Sequence, residues 1–273
     1  MIPASFDYVR AGSADEAVAA LAQHGDDAKL LAGGMSLIPL MKLRLATPGV
    51  LVDVGRISDL SYVRDGGDHV AIGALTRHRD VETSELLREQ CGVLRAVAAQ
   101  VGDNQVRHRG TLGGSVSHGD PASDLPAALL ALDATFVVRG GGGERTVAAS
   151  DFFRGFLETA LGPDELLTEI RVPKTGASGF SYQKFNRRAQ DWAIVGAVAV
   201  RNGTTRVALV NMGTTPLRAS AVEQALASGA SPTDASEHAA EATEPTADLN
   251  ASPEYRAHLA RVLTRRALEE AGS

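Results

Sequence analysis

The chain has 273 residues, of which 44% are hydrophobic and 22% are charged, and its formal net charge is −6. These are ordinary globular values, so wholesale disorder is excluded, and the length suits one large domain or two to three small ones. The negative charge argues against non-specific nucleic-acid binding, which needs a positive field. The longest apolar run, residues 193–200, is far shorter than the roughly 18 residues of a membrane span.

The N-terminus and the cysteine content narrow the class further. Asp7 and Arg10 interrupt the N-terminal apolar residues, so we predict no secretory signal and a cytoplasmic protein. The single cysteine, Cys91, excludes an internal disulfide. It also excludes an iron–sulfur cluster held by this chain's own thiolates, which takes about four.

The first region, residues 1–60, begins with a strong helix signal. Ser13 and Glu16 form a capping box, and Gly25 is placed to end the helix. Beyond it, the pattern predicts the following elements: a strand over 29–32, a helix over 36–44 and a strand over 50–54.

The second region, residues 61–175, combines hairpins with helices. An Asp-Gly-Gly-Asp turn at 65–68 and four glycines at 140–143 each separate two short strands. The predicted strands are 62–64, 69–73, 135–138, 144–147 and 166–172. The predicted helices are 76–82, 93–101 and 121–132, and we predict an irregular glycine-rich stretch over 102–120.

The third region, residues 176–273, predicts an antiparallel meander followed by helices. Its strands are 181–185, 193–201 and 205–212, with the hairpin turn Asn202-Gly203 between the last two. A long helix over 253–271 carries an apolar side formed by Tyr255, Leu259, Val262, Leu263 and Leu268. Because strands are joined by short turns rather than by regular helices, we assign the fold class α+β.

Two glycine pairs are the features of the sequence that best indicate a ligand site. The P-loop, zinc-protease and nucleophile-elbow motifs are missing from the sequence, and its seven histidines are scattered. Gly33-Gly34 lies between a predicted strand and helix, and Gly113-Gly114 lies between predicted helices. Glycine lets successive amides converge on an anion, a nearby serine adds a hydroxyl donor, and a helix start adds positive potential. The pattern therefore favours a pyrophosphate site, although similar loops also occur without any ligand.

The residues around these pairs resemble a known family. Residues 31–44 (LAGGMSLIPLMKLR) and 105–126 (QVRHRGTLGGSVSHGDPASDLP) are similar to the two FAD-binding signatures of the medium, flavoprotein subunit of molybdenum hydroxylases. This is the xanthine dehydrogenase group, and the closer similarity is to the medium subunits of aerobic carbon monoxide dehydrogenases. Weaker similarity over residues 6–8, 184–196 and 253–271 extends the resemblance to nearly the whole chain.

This resemblance implies the FAD-binding fold of the vanillyl-alcohol-oxidase (PCMH) type. Residues 1–60 and 61–175 would be two small α+β lobes that hold the dinucleotide. Residues 176–273 would be a C-terminal flavoprotein domain with a three-stranded antiparallel sheet and helices.

The resemblance also implies which residues contact FAD. The pyrophosphate would lie against two loops: Ala32, Gly33, Gly34, Met35 and Ser36, and Thr111, Leu112, Gly113, Gly114 and Ser115. Asp124 would make a polar contact, Lys184 would balance the flavin's charge and Trp192 would lie near the isoalloxazine, and for each a purely structural role is the alternative. Relatives often carry histidine or glutamine at the position of Met35, which puts the subfamily in doubt but not FAD binding. No residue is predicted to act as a general acid, base or nucleophile, and no metal site is predicted.

The implied function is electron transfer within a heterotrimer. A large subunit would hydroxylate the substrate at molybdopterin, and two [2Fe–2S] clusters on a small subunit would pass electrons to FAD on this chain. We expect non-covalent FAD, because Cys91 lies outside both loops, and a dimer of heterotrimers. The substrate and the external acceptor (quinone, oxygen, NAD or a carrier protein) stay open. The alternatives are a self-contained FAD-dependent reductase of the same fold and a non-enzymatic, flavin-free adaptor.

Overall fold

The first lobe is a parallel sheet with a helix packed against it, in a computed structural model that describes residues 2–272. Its elements in chain order are β1 (Asp7–Arg10), α1 (Ala14–His24), β2 (Ala28–Leu31), α2 (Leu37–Lys42) and β3 (Val50–Asp53). β3 lies between β1 and β2 and pairs with both in parallel. The carboxyl ends of β2 and β3 therefore meet at one edge, and the loop from β2 to α2 leaves the sheet there.

The start of α1 confirms the predicted capping box. Ser13 Oγ accepts a hydrogen bond from the Glu16 amide at 3.2 Å, and the Glu16 carboxylate accepts one from the Gly12 amide at 2.7 Å. The helix ends where Gly25 adopts a φ of +54°, as the glycine predicts. Its buried face, which includes Leu21, packs in one core with Val52 of β3, so a local signal and an apolar stripe together fix this lobe.

The second lobe is built on a five-stranded antiparallel sheet. Its strands are β4 (Val63–Asp65), β5 (His69–Gly73), β6 (Thr135–Gly140), β7 (Gly143–Ala148) and β10 (Leu166–Pro173), and their order in the sheet is β4-β5-β10-β6-β7. Both predicted hairpins are therefore confirmed. An additional hairpin, β8 (Phe153–Gly155) with β9 (Glu158–Thr159), is absent from the prediction.

Helices cover this sheet and form most of the lobe's core. They are α3 (His78–Thr83), α4 (Glu85–Gln90), α5 (Gly92–Ala98), α6 (Asn104–Arg109), α7 (Leu112–His118), α8 (Asp124–Ala131) and α9 (Ala149–Phe152). The prediction that residues 102–120 are irregular is wrong, because α6 and α7 lie there. Each begins at a polar cap: Asp103 accepts from the Val106 amide at 2.9 Å, and Thr111 accepts from the Gly114 amide at 3.1 Å.

The C-terminal domain is an antiparallel sheet with helices on one side. Its elements are β11 (Gly179–Phe185), β12 (Val195–Asn202), β13 (Thr204–Val210), β14 (Leu217–Arg218), α10 (Ser220–Ala227), α11 (Pro232–Ser236) and α12 (Pro253–Gly272). The three predicted strands are present, and the two-residue β14 adds a fourth at the edge, so the predicted three-stranded sheet needs correction. Gly203, with a φ of +70°, makes the predicted turn between β12 and β13.

The helix α12 lies along β11 and β12 and closes the core of this domain. Tyr255 was expected on its apolar side but is 43% exposed, and the fully buried position is the neighbouring Arg256. The buried side chains of the helix are Arg256, Leu259, Ala260, Leu263, Thr264, Ala267, Leu268 and Ala271. Leu259, Leu263 and Leu268 are therefore buried as predicted, whereas Val262 is only partly buried and Tyr255 lies off the buried face.

A shared hydrophobic core joins the second lobe to the C-terminal domain. Leu129 of α8, Val198 of β12 and Val210 of β13 belong to one buried cluster. The first lobe has a core of its own, to which the second lobe contributes Leu75 and Leu166. Of the helices in residues 2–272, none combines the length and the apolar character that a bilayer crossing requires.

Candidate functional site

The first glycine loop requires both of its glycines. A Cβ on Gly33 would lie 2.2 Å from the backbone oxygen of Arg109, closer than any side chain allows. Gly34 has a φ of +74°, in the left-handed region that favours glycine. The pair therefore permits a close approach at one residue and a reversal of the backbone at the next.

The same loop presents a row of unpaired backbone donors. Within residues 2–272, the amides of the five residues from Gly33 to Leu37 donate to no backbone or side-chain acceptor. The first amide beyond them that is paired is that of Ile38, which donates to Gly34 O at 3.1 Å. Successive free amides on a surface loop form an anion-binding concavity, and the Ser36 hydroxyl adds a donor.

The second glycine run is organised differently. Its amides are already used within the chain: Gly113 donates to Ala74 O at 2.8 Å, and Gly114 donates to Thr111 Oγ1 at 3.1 Å. The expectation that free amides at both glycine pairs converge on one anion is therefore wrong for this pair. Gly113 is glycine because a Cβ there would lie 2.6 Å from Ala74 O, which makes it a packing requirement.

The two glycine loops nevertheless lie against each other. Gly33 abuts the backbone of Arg109 and Gly110, at the start of the second run. The Arg77 guanidinium donates to Arg109 O, the same oxygen that Gly33 approaches. A single dinucleotide at this join can therefore contact residues of both loops.

Asp124 and Lys184 lie together in the structure. Lys184 Nζ is 2.8 Å from Asp124 Oδ2 and also donates to Gln100 O at 3.0 Å, while the Tyr182 hydroxyl donates to Asp124 Oδ1. Burial raises the pKa of the Asp124 carboxyl, and the ammonium and hydroxyl beside it oppose that rise. Burial also raises the pKa of Tyr182 well above its ordinary value. The cluster joins α8 to β11, and the charges of the two predicted cofactor contacts neutralise each other.

Trp192 lies at a separate cleft. Its side chain is 57% exposed and lines a cleft of about 490 Å³ between the second lobe and the C-terminal domain. The other side chains and backbone that line the cleft belong to Asp120, Pro121, Ala122, Phe156, Arg187, Arg188, Asp191, Ala193, Ile194, Asn211, Thr246, Asp248, Asn250 and Arg256. None of these belongs to either glycine loop, so Trp192 is not brought into contact with them here.

The cleft contains residues that the sequence did not single out. Arg256 is 2% exposed, pairs with Asp248 at 2.8 Å and donates to Ile194 O, and its Nε has no partner among the described residues. Phe156 is 66% exposed at the rim. The sequence could have indicated Arg256 as a candidate site residue, because it lies among the apolar positions of the predicted C-terminal helix.

The single cysteine and the residue types that bind metals form no cluster in the described part of the chain. Cys91 is fully buried, and burial raises the pKa of its thiol to about 12. The described part of the chain contains no group of three or more His, Cys, Asp and Glu side chains placed to hold a metal ion. The donors that the glycine loops offer are backbone amides, hydroxyls and the nearby arginines.

Comparison with known proteins gives the class of this site. Residues 4–175 match the family described as the FAD-binding domain in molybdopterin dehydrogenase, and residues 180–271 match the C-terminal domain of the carbon monoxide dehydrogenase flavoprotein. The fold and site thus define an FAD-binding chain of an oxidoreductase. The unpaired amides of the first loop and the glycine cradle at its contact with the second suit the diphosphate of this cofactor.

Individual relatives cover the whole chain. The carbon monoxide dehydrogenase medium chain of Hydrogenophaga pseudoflava is 41% identical over 99% of this chain and 98% of its own length. A subunit of the 6-hydroxypseudooxynicotine dehydrogenase complex of Paenarthrobacter nicotinovorans is 37% identical over 99% of this chain and 96% of its own. A solved structure of the Hydrogenophaga carbon monoxide dehydrogenase, lacking the Mo-pyranopterin moiety of its cofactor, matches with a TM-score of 0.96, 42% identity and coverage of 100% and 99%.

These matches confirm the resemblance stated from the sequence. The chain belongs to the family of FAD-binding medium subunits of molybdenum hydroxylases. The flavoprotein fold and the assignment as an oxidoreductase subunit are confirmed with it. The alternatives of a self-contained reductase and of a flavin-free adaptor are not supported, because the full-length relatives are named as chains or subunits of dehydrogenases.

Proposed function

We propose that this chain holds FAD non-covalently at the join of the two glycine loops and serves as the electron-exit subunit of a heterotrimeric molybdenum hydroxylase. The supporting observation is the row of five unpaired amides from Gly33 to Leu37 beside the second glycine run. When bound, FAD supplies the redox chemistry, accepting electrons from a partner and passing them to an external acceptor. The role of this chain is to bind and orient that group.

The proposal assigns the diphosphate to the first loop. Residues 32–36 would supply amide donors and the Ser36 hydroxyl, and residues 111–115 would flank the same group, with Ser115 contributing a hydroxyl. Met35 is 37% exposed and interrupts none of these donors. FAD binding should therefore tolerate its departure from the histidine or glutamine of relatives.

Asp124, Lys184 and Trp192 complete the proposed flavin contacts. Asp124 would make a polar contact with the cofactor and Lys184 would balance the charge that develops on the flavin, although in this structure the two buried side chains pair with each other. Trp192 would lie near the isoalloxazine at the mouth of the cleft between the second lobe and the C-terminal domain. These residues position the cofactor and its surroundings, and none transfers a proton as a general acid or base.

The proposed partners follow from the family. A large molybdopterin subunit would oxidise the substrate, and a small subunit with two [2Fe–2S] clusters would deliver electrons to this chain, in a dimer of heterotrimers. Relatives of 41% and 37% identity are named for carbon monoxide and 6-hydroxypseudooxynicotine. We therefore infer that the substrate is selected outside this chain and propose none.

Purification of the full chain tests this function. We expect one FAD per chain, released completely into the supernatant by acid precipitation, and no NAD(P)H oxidation by the chain alone. Added reduced [2Fe–2S] partner should bleach the flavin. A colourless chain that binds no added FAD would contradict the function, and colour retained on the precipitated polypeptide would contradict non-covalent binding.

Cytoplasmic location belongs to the same proposal, and fractionation of expressing cells tests it.

A further inference from the structure

Arg77 stands where the two glycine loops touch. Backbone hydrogen bonds join the residues on either side of Arg77 to the start of the second glycine loop. The Leu112 amide donates to Thr76 O at 2.9 Å, and the His78 amide donates to Gly110 O at 3.0 Å. Arg77 itself forms a backbone bridge with Thr111. The residue is thus held rigidly against the second loop while its side chain extends toward the first.

The guanidinium of Arg77 is largely unused. One donor bonds Arg109 O, the oxygen against which Gly33 packs, and its remaining N–H groups have no partner among residues 2–272. An arginine has five N–H donors, so most of its hydrogen-bonding capacity is free. The side chain is half-buried, which makes unused donors costly unless a ligand satisfies them.

The positive charges of Arg77 and Arg109 also favour an anion at this place. Burial and the nearby Arg109 guanidinium lower the pKa of Arg77, and the Asp80 and Asp53 carboxylates oppose this more weakly. Neither arginine makes an ion pair with a carboxylate in the described chain. The nearby Asp53 is engaged by the Tyr8 hydroxyl and by the Gly55 amide at 2.8 Å. Two adjacent cations beside five free amides form a site that a doubly charged group would neutralise.

We propose that Arg77 contacts the diphosphate of FAD at this join and sets the affinity of the chain for the dinucleotide. The inference rests on the proposed function and adds a positioning residue that the resemblance did not assign. The competing possibility is that Arg77 only staples Arg109 in place through its single hydrogen bond.

Titration of the full chain with FAD separates these roles. Arg77→Gln keeps a donor for Arg109 O but removes the charge, and Arg77→Lys keeps the charge. Arg79→Gln is the matched control, since Arg79 lies two residues further along the chain, in α3, and pairs with Glu82 at 3.2 Å. We expect Arg77→Gln to raise the Kd about ten- to hundredfold and to flatten its salt dependence. Arg77→Lys should retain most of the affinity, and the control should match the wild type.

The titration distinguishes a failure of the proposed function from a failure of the Arg77 inference. If the wild type binds no FAD, the proposed function fails. If the wild type binds and Arg77→Gln binds equally, only the Arg77 inference fails. Should Arg77→Gln lose its native circular dichroism, phenylglyoxal labelling of the wild type decides: inorganic pyrophosphate should protect Arg77 and not Arg79, and equal labelling of Arg77 with and without pyrophosphate would overturn the inference.

Discussion

Replacing Gly33 by alanine adds one methyl group at the contact between the two glycine loops. The new Cβ would lie 2.2 Å from Arg109 O and 2.8 Å from its carbonyl carbon, whereas real Cβ atoms essentially never approach a heavy atom within 3.0 Å. Both neighbours are backbone atoms, so no side-chain rotation relieves the clash. The loops must separate by about 1 Å, a displacement typical of overpacked sites.

That separation has two measurable consequences. Overpacking of this kind lowers the free energy of unfolding by about 1–3 kcal/mol. Because the displaced loop no longer presents its amides at the positions that a diphosphate needs, one hydrogen bond to a charged group is lost, and we expect the Kd for FAD to rise about ten- to hundredfold.

The assay is an FAD titration followed by flavin fluorescence, combined with thermal unfolding of the FAD-free chain. Gly141→Ala is the matched control, because Gly141 lies in an exposed turn where a Cβ meets nothing within 4 Å. The control should leave both quantities unchanged. Wild-type FAD affinity in Gly33→Ala would refute the claim that the contact between the loops shapes the cofactor site.

Lys184→Met should lower the free energy of unfolding by about 3–5 kcal/mol, since it leaves the Asp124 carboxylate buried without its cation. The double variant with Asp124→Asn should recover part of this loss in chemical denaturation, and unchanged stability of Lys184→Met would contradict the pairing. Burial, with a smaller contribution from Arg107, lowers the pKa of His78 from 6.5 to about 4, so the unfolded chain binds more protons than the folded chain between these values. Stability from this group is therefore complete above pH 6.5 and falls by about 3 kcal/mol as the pH drops to 4. His78→Asn should flatten the stability curve in this range, and a curve parallel to that of the wild type would show the reasoning to be mistaken. Iodoacetamide should label Cys91 only in denaturant, because the thiol is fully buried and its pKa is raised to about 12; mass spectrometry that finds label on the native chain would contradict this.

Local signals account for what the sequence predicted correctly. The capping box at Ser13, the Asp-Gly-Gly-Asp turn and the Asn202-Gly203 turn each act through backbone groups within a few residues. The same holds for the need for glycine at Gly34, where φ is positive. Such features can be read from one stretch of chain, and they fixed most of the elements.

What the sequence could not supply depends on distant partners. The amide of Gly113 looked free until Ala74, 39 residues earlier, supplied its acceptor. Lys184 and Asp124 are separated by 60 positions and were identified singly, with no indication that they pair. The role of Gly33 against Arg109 and the position of Arg77 between the loops likewise required the tertiary structure.

The helices that the prediction missed are short and begin at single capping residues. Ser84, Asp103 and Thr111 each accept a hydrogen bond from an amide three residues on and start helices of only six or seven residues. Such helices carry too little apolar periodicity for a pattern to register. A search for capping residues would have found them, even Asp103 and Thr111 within the glycine-rich stretch.

An experimental structure of the full chain with FAD would test the location of the cofactor most directly. We expect the phosphate oxygens to lie within hydrogen-bond distance of the amides in the Gly33–Leu37 segment, with the Arg77 side chain beside them. A diphosphate seated instead in the cleft lined by Trp192 and Arg256, with the amides of the first loop still unpaired, would contradict this expectation.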